Sequence, residues 1–197
     1  MKQNIKERVN ALRAILRGGN IQAFIIPSTD PHLSEYVAPH WMSREWISGF
    51  TGSAGTVAVT MDDAGLWTDS RYFLQAGEEL EDTGIALYKE GLPDTPGLTD
   101  FLCRNLQPGD SVGIDGKMFS VQQVEQMKEE LAAHQLQLDI FGDPLERIWE
   151  DRPSIPDAPA FVYDLCYAGK TCAEKISAIR AELKDKGADA LFLSALD

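Results

Sequence analysis

The chain has 197 residues, of which 44% are hydrophobic, and its 31 acidic against 18 basic side chains give a formal net charge of −13. This length is sufficient for one substantial hydrophobic core and the beginning of a second. The negative charge disfavours nucleic acid and anionic membrane surfaces as partners, because the lysines and arginines are not gathered into a patch.

No apolar run reaches the roughly 18 residues that a membrane-spanning helix needs, and the charged amino terminus does not have the apolar core of a secretory signal. We therefore expect a cytoplasmic protein. The three cysteines, Cys103, Cys166 and Cys172, form no CxxC pair. Reduced and partly buried thiols are expected, rather than disulfides or zinc ligands.

The first predicted element is a helix that ends at Gly18-Gly19. Its apolar face repeats at helical spacing at Ile5, Val9, Leu12 and Leu16. The following segment, QAFIIP, predicts a short buried strand. After a polar loop, SREWISGF predicts a short helix capped by Ser43. TVAVT and LWTD, on either side of the turn MDDAG, predict a β-hairpin.

Downstream of the hairpin, helices and strands alternate. Helices are predicted in RYFLQAGEEL, GLTDFLCRNL and SVQQVEQMKEELAAH, and strands in IALYK, SVGID and LQLDIF. The last of these helices is predicted to direct one apolar face inward, formed by Val121, Val124, Met127 and Leu131. This order of elements predicts an α/β fold with a mixed sheet, in which the hairpin supplies the antiparallel part.

The segment RPSIPDAP, residues 152–159, contains three prolines and has the composition of a linker. Beyond it, an amphipathic helix, a glycine and the apolar strand LFLSALD repeat the opening order of the chain. We expect a first domain at residues 1–154, then a linker and the truncated start of a second, similar domain at residues 155–197. Roughly forty residues cannot close an independent core, so a fragment of a longer protein is expected.

The stretch WISGFTGSAGTVAVTMDDAGLWTDSRYF, from Trp46 to Phe73, looks built around a site. Its glycines at Gly49, Gly52 and Gly55 fit neither GxxxxGK[ST] nor GxGxxG. A strand follows them, where a phosphate site needs the amino terminus of a helix. We therefore interpret the glycines as providing positive φ angles and close backbone approach at a helix-to-strand turn.

Asp69, Ser70 and Arg71 fall where the second hairpin strand gives way to a helix. This position is the rim at which open α/β sheets place ligand contacts. Asp69 or Ser70 is a candidate helix cap, with Arg71 in an ion pair. The planar fork of Arg71 is also suited to hold a carboxylate or a peptide carbonyl, and the two roles are compatible.

The residues provide no complete catalytic constellation. His32 and His40 lie eight residues apart in a loop, His134 is distant along the chain, and no HExxH or HxH motif is present. A weak loop site using His32 and Glu35 stays open. Ser53 does not lie in a GxSxG nucleophile elbow. We expect neither catalytic nor metal-binding residues in this chain.

Several separated motifs resemble one family. They are the run from QAFIIPSTDPHLSEYVAPHW to GFTGSAGTVAVT, then LWTDSRYFLQA, DTPG, VGID and IWEDRP. In this order they closely resemble the amino-terminal domain of the long cytosolic form of Xaa-Pro aminopeptidase, aminopeptidase P. The tail KISAIRAELKDKGADALFLSALD is similar to the start of the second, repeated domain of that family.

The resemblance implies the creatinase/prolidase amino-terminal fold, a ribonuclease H-like α/β layer that is noncatalytic, restricts the substrate cleft and supports a homodimer. It implies removal of the amino-terminal residue from short peptides with proline second. Two divalent metals, usually manganese, would do this chemistry on ligands downstream of Asp197, with no cofactor bound by this chain. The family's substrate-contacting arginine corresponds to Arg71, next to Ser70 where many relatives have glycine.

Two alternatives to the peptidase interpretation stay open. One is a stand-alone peptide- or protein-binding module on the same fold. The other, a creatine-type amidinohydrolase, shares the fold but is disfavoured by the signatures PSTDPHLSEYVAP and GFTGSAGT, which resemble aminopeptidase P.

Overall fold

A computed structural model describes residues 2–193. The chain forms two compact units, residues 1–156 and residues 157–197. Within the described residues, the first unit contains one sheet of six strands. These are β1 (Ala23–Pro27), β2 (Thr56–Thr60), β3 (Ala64–Thr68), β4 (Ala86–Lys89), β5 (Ser111–Ile114) and β6 (Gln137–Ile140).

The strands lie in the order β4-β3-β2-β1-β5-β6. Only β2 runs against its neighbours, pairing antiparallel with β1 and with β3. The pairs β3 with β4, β1 with β5 and β5 with β6 are parallel. The mixed sheet predicted from the order of elements is therefore confirmed, with the hairpin as its antiparallel part. As a consequence, every strand except β2 ends at the same edge of the sheet.

Helices cover both faces of the sheet. The first unit contains α1 (Lys2–Gly18), α2 (Ser43–Ser48), α3 (Phe73–Glu79), α4 (Leu98–Asn105) and α5 (Val121–Ala133), with short 3-10 turns at Pro39–Trp41, Gly116–Met118 and Pro144–Arg147. Alternate residues of β1 divide between two cores, since Phe24 and Ile26 pack with α1, α2 and α3 while Ala23 and Ile25 pack with α4 and α5.

The apolar face predicted for α1 is confirmed, because its four residues are all at most 5% exposed. They are Ile5, Val9, Leu12 and Leu16. The face predicted for α5 is correct in part. Leu131 is buried, and Val124 and Met127 pack against the same core, but Val121 is 74% exposed. Val121 is the first residue of the helix.

Two predicted helix caps are wrong. Ser43 is the first residue of α2 and Met42 precedes it without a side-chain cap. Tyr72, rather than Asp69 or Ser70, precedes α3 and also makes no side-chain cap. The hairpin turn is shorter than predicted as well, since β3 begins at Ala64 and includes Gly65.

The second unit contains α6 (Leu165–Ala168) and α7 (Cys172–Asp185). Thr171 caps α7 in a reciprocal capping box with Glu174. The strand predicted in LFLSALD is not formed at residues 191–193, and residues 194–197 lie outside the described part of the chain. Of the three free cysteines only Cys103 is partly buried, so the partial burial predicted for Cys166 and Cys172 is wrong. None of the helices within residues 2–193 combines the length and the apolar character needed to cross a membrane.

Candidate functional site

The segment between α2 and β2, residues 49–55, contains three glycines and is called the glycine-rich loop. It lies at the sheet edge where β1 and β3 end. Two hydroxyl groups tie the strand ends to this loop. Ser28, just after β1, donates to the carbonyl oxygen of Gly55 at 2.7 Å, and Thr68, the last residue of β3, donates to that of Ala54 at 2.7 Å. The loop therefore runs between the two strand ends, and the residues after β3 emerge beside it.

Arg44 holds this loop from inside. Its side chain projects from α2, and the residue is only 5% exposed. The guanidinium donates through Nε to Ser28 Oγ at 2.8 Å, and through Nη1 and Nη2 to the carbonyl oxygens of Phe50 and Gly52. It also lies over the Phe50 ring, 4.8 Å from the centroid. Burial lowers the pKa of Arg44 to about 10, because the charged form has lost water.

The three glycines of the loop serve two different purposes. Gly49 ends α2 with φ 73° in the left-handed region. Gly52 and Gly55 allow the backbone to approach its neighbours closely. An added Cβ would lie 2.3 Å from Phe50 Cζ at Gly52 and 2.9 Å from the Trp67 carbonyl oxygen at Gly55. The prediction of a tight helix-to-strand turn is confirmed, with positive φ at Gly49 and close packing at the other two glycines.

Arg71 is exposed to solvent three residues after the end of β3. Its side chain is 65% exposed and forms an ion pair with Asp69, Nη2 to Oδ2 at 2.7 Å. Asp69 Oδ1 also accepts from Arg71 Nε at 2.9 Å and from the Arg71 backbone N–H at 3.0 Å. The predicted ion pair is therefore confirmed. These hydrogen bonds from Arg71 lower the pKa of Asp69 to about 2.

Tyr72 connects Arg71 to the glycine-rich loop. Its ring lies 5.2 Å from the Arg71 guanidinium carbon and packs edge-on against Phe50. Its hydroxyl group shares a 2.6 Å hydrogen bond with Ser53 Oγ, and this bond lowers the pKa of Tyr72. Ser53, which lies in no GxSxG motif, is thus connected to Arg71 through Tyr72.

Glu79 fastens α3 to the same loop. Its carboxylate accepts from the Thr51 backbone N–H at 2.8 Å, from Thr51 Oγ1 at 2.7 Å and from Gln75 Nε2 at 3.1 Å. Partial burial alone would raise the pKa of Glu79, but the bonds from Thr51 and Gln75 outweigh it and lower the pKa.

A cavity of about 190 Å³ lies beside the loop. Its walls combine aromatic and aliphatic side chains with hydroxyl and carboxylate groups, among them Ser28, Glu35, Trp41, Met42, Glu45 and Ser53. Ser53 lines this cavity and also bonds Tyr72, so the cavity and the Arg71 site share one wall.

The histidines of the loop make local contacts. His40 Nδ1 lies 2.7 Å from the Pro153 carbonyl oxygen, and its ring packs edge-on against Trp41. The His32 ring also lies edge-on to Trp41, at 6.5 Å. Within the described part of the chain, no three His, Cys, Asp or Glu side chains are grouped so as to hold a metal ion.

The sequence interpretation missed Arg44, Tyr72 and Glu79 as organisers of the site. The available signal for Arg44 was an arginine placed among the apolar residues of SREWISGF, where a solvated helix would leave it outside. No spacing rule connects Glu79 with Thr51, because the contact joins residues 28 positions apart.

The fold is that of the amino-terminal domains of creatinase- and prolidase-like proteins. A domain from Corynebacterium diphtheriae described as creatinase/prolidase like superimposes with a TM-score of 0.53, at 23% identity over 71% of this chain and 98% of that chain. The X-prolyl aminopeptidase of Caenorhabditis elegans, described as a cytosolic enzyme with a di-nuclear active site, superimposes with a TM-score of 0.82. The two are 33% identical over 94% of this chain and 32% of that one.

Residues 8–147 match the family described as Creatinase/Prolidase N-terminal domain, and residues 151–197 match a second family of the same description. The chain therefore belongs to the creatinase/prolidase N-terminal domain family. Aminopeptidase P2 of Arabidopsis thaliana is 40% identical over 98% of this chain, and the Xaa-Pro aminopeptidase ApepP of Drosophila melanogaster is 40% identical over 90% of it. The chain spans only 28% and 29% of the length of these two relatives.

Proposed function

We propose that the chain is the noncatalytic amino-terminal part of a metal-dependent Xaa-Pro aminopeptidase. The observation that carries this proposal is the similarity of nearly the whole chain to Xaa-Pro aminopeptidases at about 40% identity, over less than a third of their length. The longer enzyme would remove the amino-terminal residue from short peptides with proline second. Proline has no N–H and a fixed φ, so such peptides require a dedicated pocket.

We further propose that two divalent metal ions, manganese by preference, are held by residues of the longer protein. The di-nuclear site of the Caenorhabditis elegans enzyme supports this assignment. Within residues 2–193 no suitable group of ligands is present. The metals would activate the attacking water and stabilise charge on the scissile carbonyl.

In this proposal the first domain, residues 1–154, forms one wall of the substrate cleft, and residues 155–197 begin a second, similar domain. Arg71 is the substrate-binding residue, because it is exposed at the sheet edge and fixed in orientation by Asp69. The full-length enzyme is proposed to be a cytoplasmic homodimer. The description of the Caenorhabditis elegans enzyme as cytosolic supports the proposed location.

The test compares the 197-residue chain with the longer protein encoded by the same gene. With added manganese, the longer protein is expected to cleave Ala-Pro-Ala and to lose this activity with a chelator, and the 197-residue chain is expected to show no turnover. Chelator-sensitive turnover by the short chain would contradict the noncatalytic assignment. Inactivity of both would favour a binding module on the same fold.

A further inference from the structure

The geometry around Arg71 leaves one edge of its guanidinium open. The Asp69 carboxylate accepts hydrogen bonds from Nε and from one N–H of Nη2 in a bidentate contact. Among the described residues, no acceptor contacts Nη1 or the second N–H of Nη2. A guanidinium can form a bidentate contact on two edges, one with Nε and Nη2 and one with Nη1 and Nη2. The second edge of Arg71 therefore still offers a pair of parallel donors to a ligand.

The open edge carries less charge than a free arginine would. The Asp69 carboxylate lies on the neighbouring edge, which shares Nη2 with the open edge, and its side chain is 36% exposed. Among residues 2–193, Asp69 is the only ion-pair partner of Arg71. The two opposite charges cancel, so a ligand approaching the open edge meets aligned N–H groups belonging to a neutral pair.

A lone arginine binds a carboxylate more tightly than a neutral carbonyl oxygen, because the bonds to the carboxylate are charge-assisted. Neutralisation by Asp69 removes the source of this advantage. A main-chain carbonyl oxygen has two lone pairs and no net charge, so it accepts from the open edge without repulsion by Asp69. A free carboxylate accepts from the same donors. However, it is repelled by the negative charge of Asp69, which contacts the same guanidinium. The contrast decides which part of a peptide suits this site.

We propose that Asp69 is a positioning and specificity-determining residue, which makes Arg71 a donor to a peptide main-chain carbonyl in preference to a free terminal carboxylate. This inference rests on the proposed function and deepens it, since it concerns which Xaa-Pro peptides the enzyme takes. Peptides that continue beyond the contacted residue, or end in an amide, are preferred to those that end there as an acid.

Matched substrates test the charge alone. The longer protein is assayed with Ala-Pro and Ala-Pro-amide, and with Ala-Pro-Ala and its amide, so that each pair differs only in the terminal carboxylate. For the wild type, kcat/KM is expected to be higher for the amide of at least one pair. In Asp69→Asn the amide-to-acid ratio of that pair is expected to fall about two- to fivefold, as for removal of one exposed charge partner.

The change is expected mainly in KM for the acid, because the repulsion acts on binding. Asp69→Glu keeps the charge and is expected to keep the wild-type ratio, even where the longer side chain lowers kcat/KM for all four peptides. The matched control is Asp62→Asn, which removes an exposed charge in the hairpin turn at the opposite end of β3 and is expected to leave the ratio unchanged.

The outcomes separate this inference from the proposed function. If the wild-type longer protein cleaves none of the four peptides, the proposed function fails. If it cleaves them and Asp69→Asn alters neither ratio more than Asp62→Asn does, Asp69 does not set specificity and this inference alone fails. Unchanged thermal unfolding of Asp69→Asn shows that the variant is folded.

Discussion

The guanidinium of Arg44 donates to the carbonyl oxygen of Gly52, eight residues later, from a position that solvent barely reaches. Arg44 lies in α2 and Gly52 in the loop that follows, so this side chain holds the loop against the helix that precedes it. Within residues 2–193 no carboxylate forms an ion pair with Arg44. Backbone oxygens and the Ser28 hydroxyl therefore compensate for its lost hydration.

We expect Arg44→Lys to destabilise the 197-residue chain by about 2–3 kcal/mol. A lysine has no planar fork, so it cannot reach Ser28, Phe50 and Gly52 together, and it leaves buried acceptors unpaired. Urea unfolding followed by tryptophan fluorescence measures the effect. The matched control is Arg104→Lys, on the exposed part of α4, where a change below about 0.5 kcal/mol is expected. Equal stability of the two variants would show that the loop does not depend on Arg44.

For the longer protein of the proposed function, we expect Arg71→Ala to lower kcat/KM for Xaa-Pro peptides about tenfold or more, since the proposal makes Arg71 a charged hydrogen-bond donor to substrate. Metal content and unfolding should stay unchanged, because the Arg71 side chain is 65% exposed. Steady-state kinetics, metal analysis and thermal unfolding provide the three measurements. An unchanged kcat/KM would leave Arg71 with a structural role only.

The contact of Glu79 with Thr51 predicts a pH-dependent contribution to stability. The pKa of Glu79 is lowered from its ordinary value of 4.5, so the folded state favours the carboxylate. The stabilisation is present above pH 4.5 and is lost as the pH falls through the folded-state pKa. Glu79→Gln is expected to cost about 1 kcal/mol at pH 7 and progressively less below pH 4.5.

Urea unfolding at several pH values measures this difference, with Glu78→Gln as the matched control. Glu78 is the exposed neighbour on α3, and its replacement is expected to have little effect at any pH. A Glu79→Gln effect that does not depend on pH would mean that shape, rather than charge, holds Thr51.

The elements of the fold could be predicted from the sequence because their signals are local. The apolar spacing of Ile5, Val9, Leu12 and Leu16 identifies α1 without knowledge of what it contacts, and the alternation in TVAVT identifies β2. Ser43 was predicted wrongly as a cap because the turn Pro39–Trp41 already leads the chain into α2 through Met42.

The site was predictable only where its position follows from a strand end. The exposed position and ion pair of Arg71 are predictable because it lies three residues after the end of β3 and its partner is two positions away, and its role in substrate binding stays a prediction. The roles of Arg44 and Glu79 depend on how the loop folds back between two strands. Contacts of that kind are set by tertiary packing and leave no periodic pattern in the sequence.

Alanine substitutions at Gly52 in the loop and at Gly77 in α3 test how tightly the loop is packed. A Cβ at Gly52 would lie 2.3 Å from Phe50 Cζ and 2.7 Å from Tyr72 Cδ1, and Phe50 is fully buried. We therefore expect Gly52→Ala to destabilise the chain by about 1–3 kcal/mol. At Gly77, inside α3, an added Cβ meets nothing within 4 Å.

Gly77→Ala is the matched control, and it is expected to stabilise the chain by about 0.5–1 kcal/mol, because alanine loses less conformational freedom in a helix. The same chemical change should thus have opposite signs at two sites 25 residues apart. Urea unfolding of both variants measures this. If Gly52→Ala is as stable as the wild type, the Phe50 ring must have a second position, and the loop would be less rigid than its contacts with Arg44 and Tyr72 require.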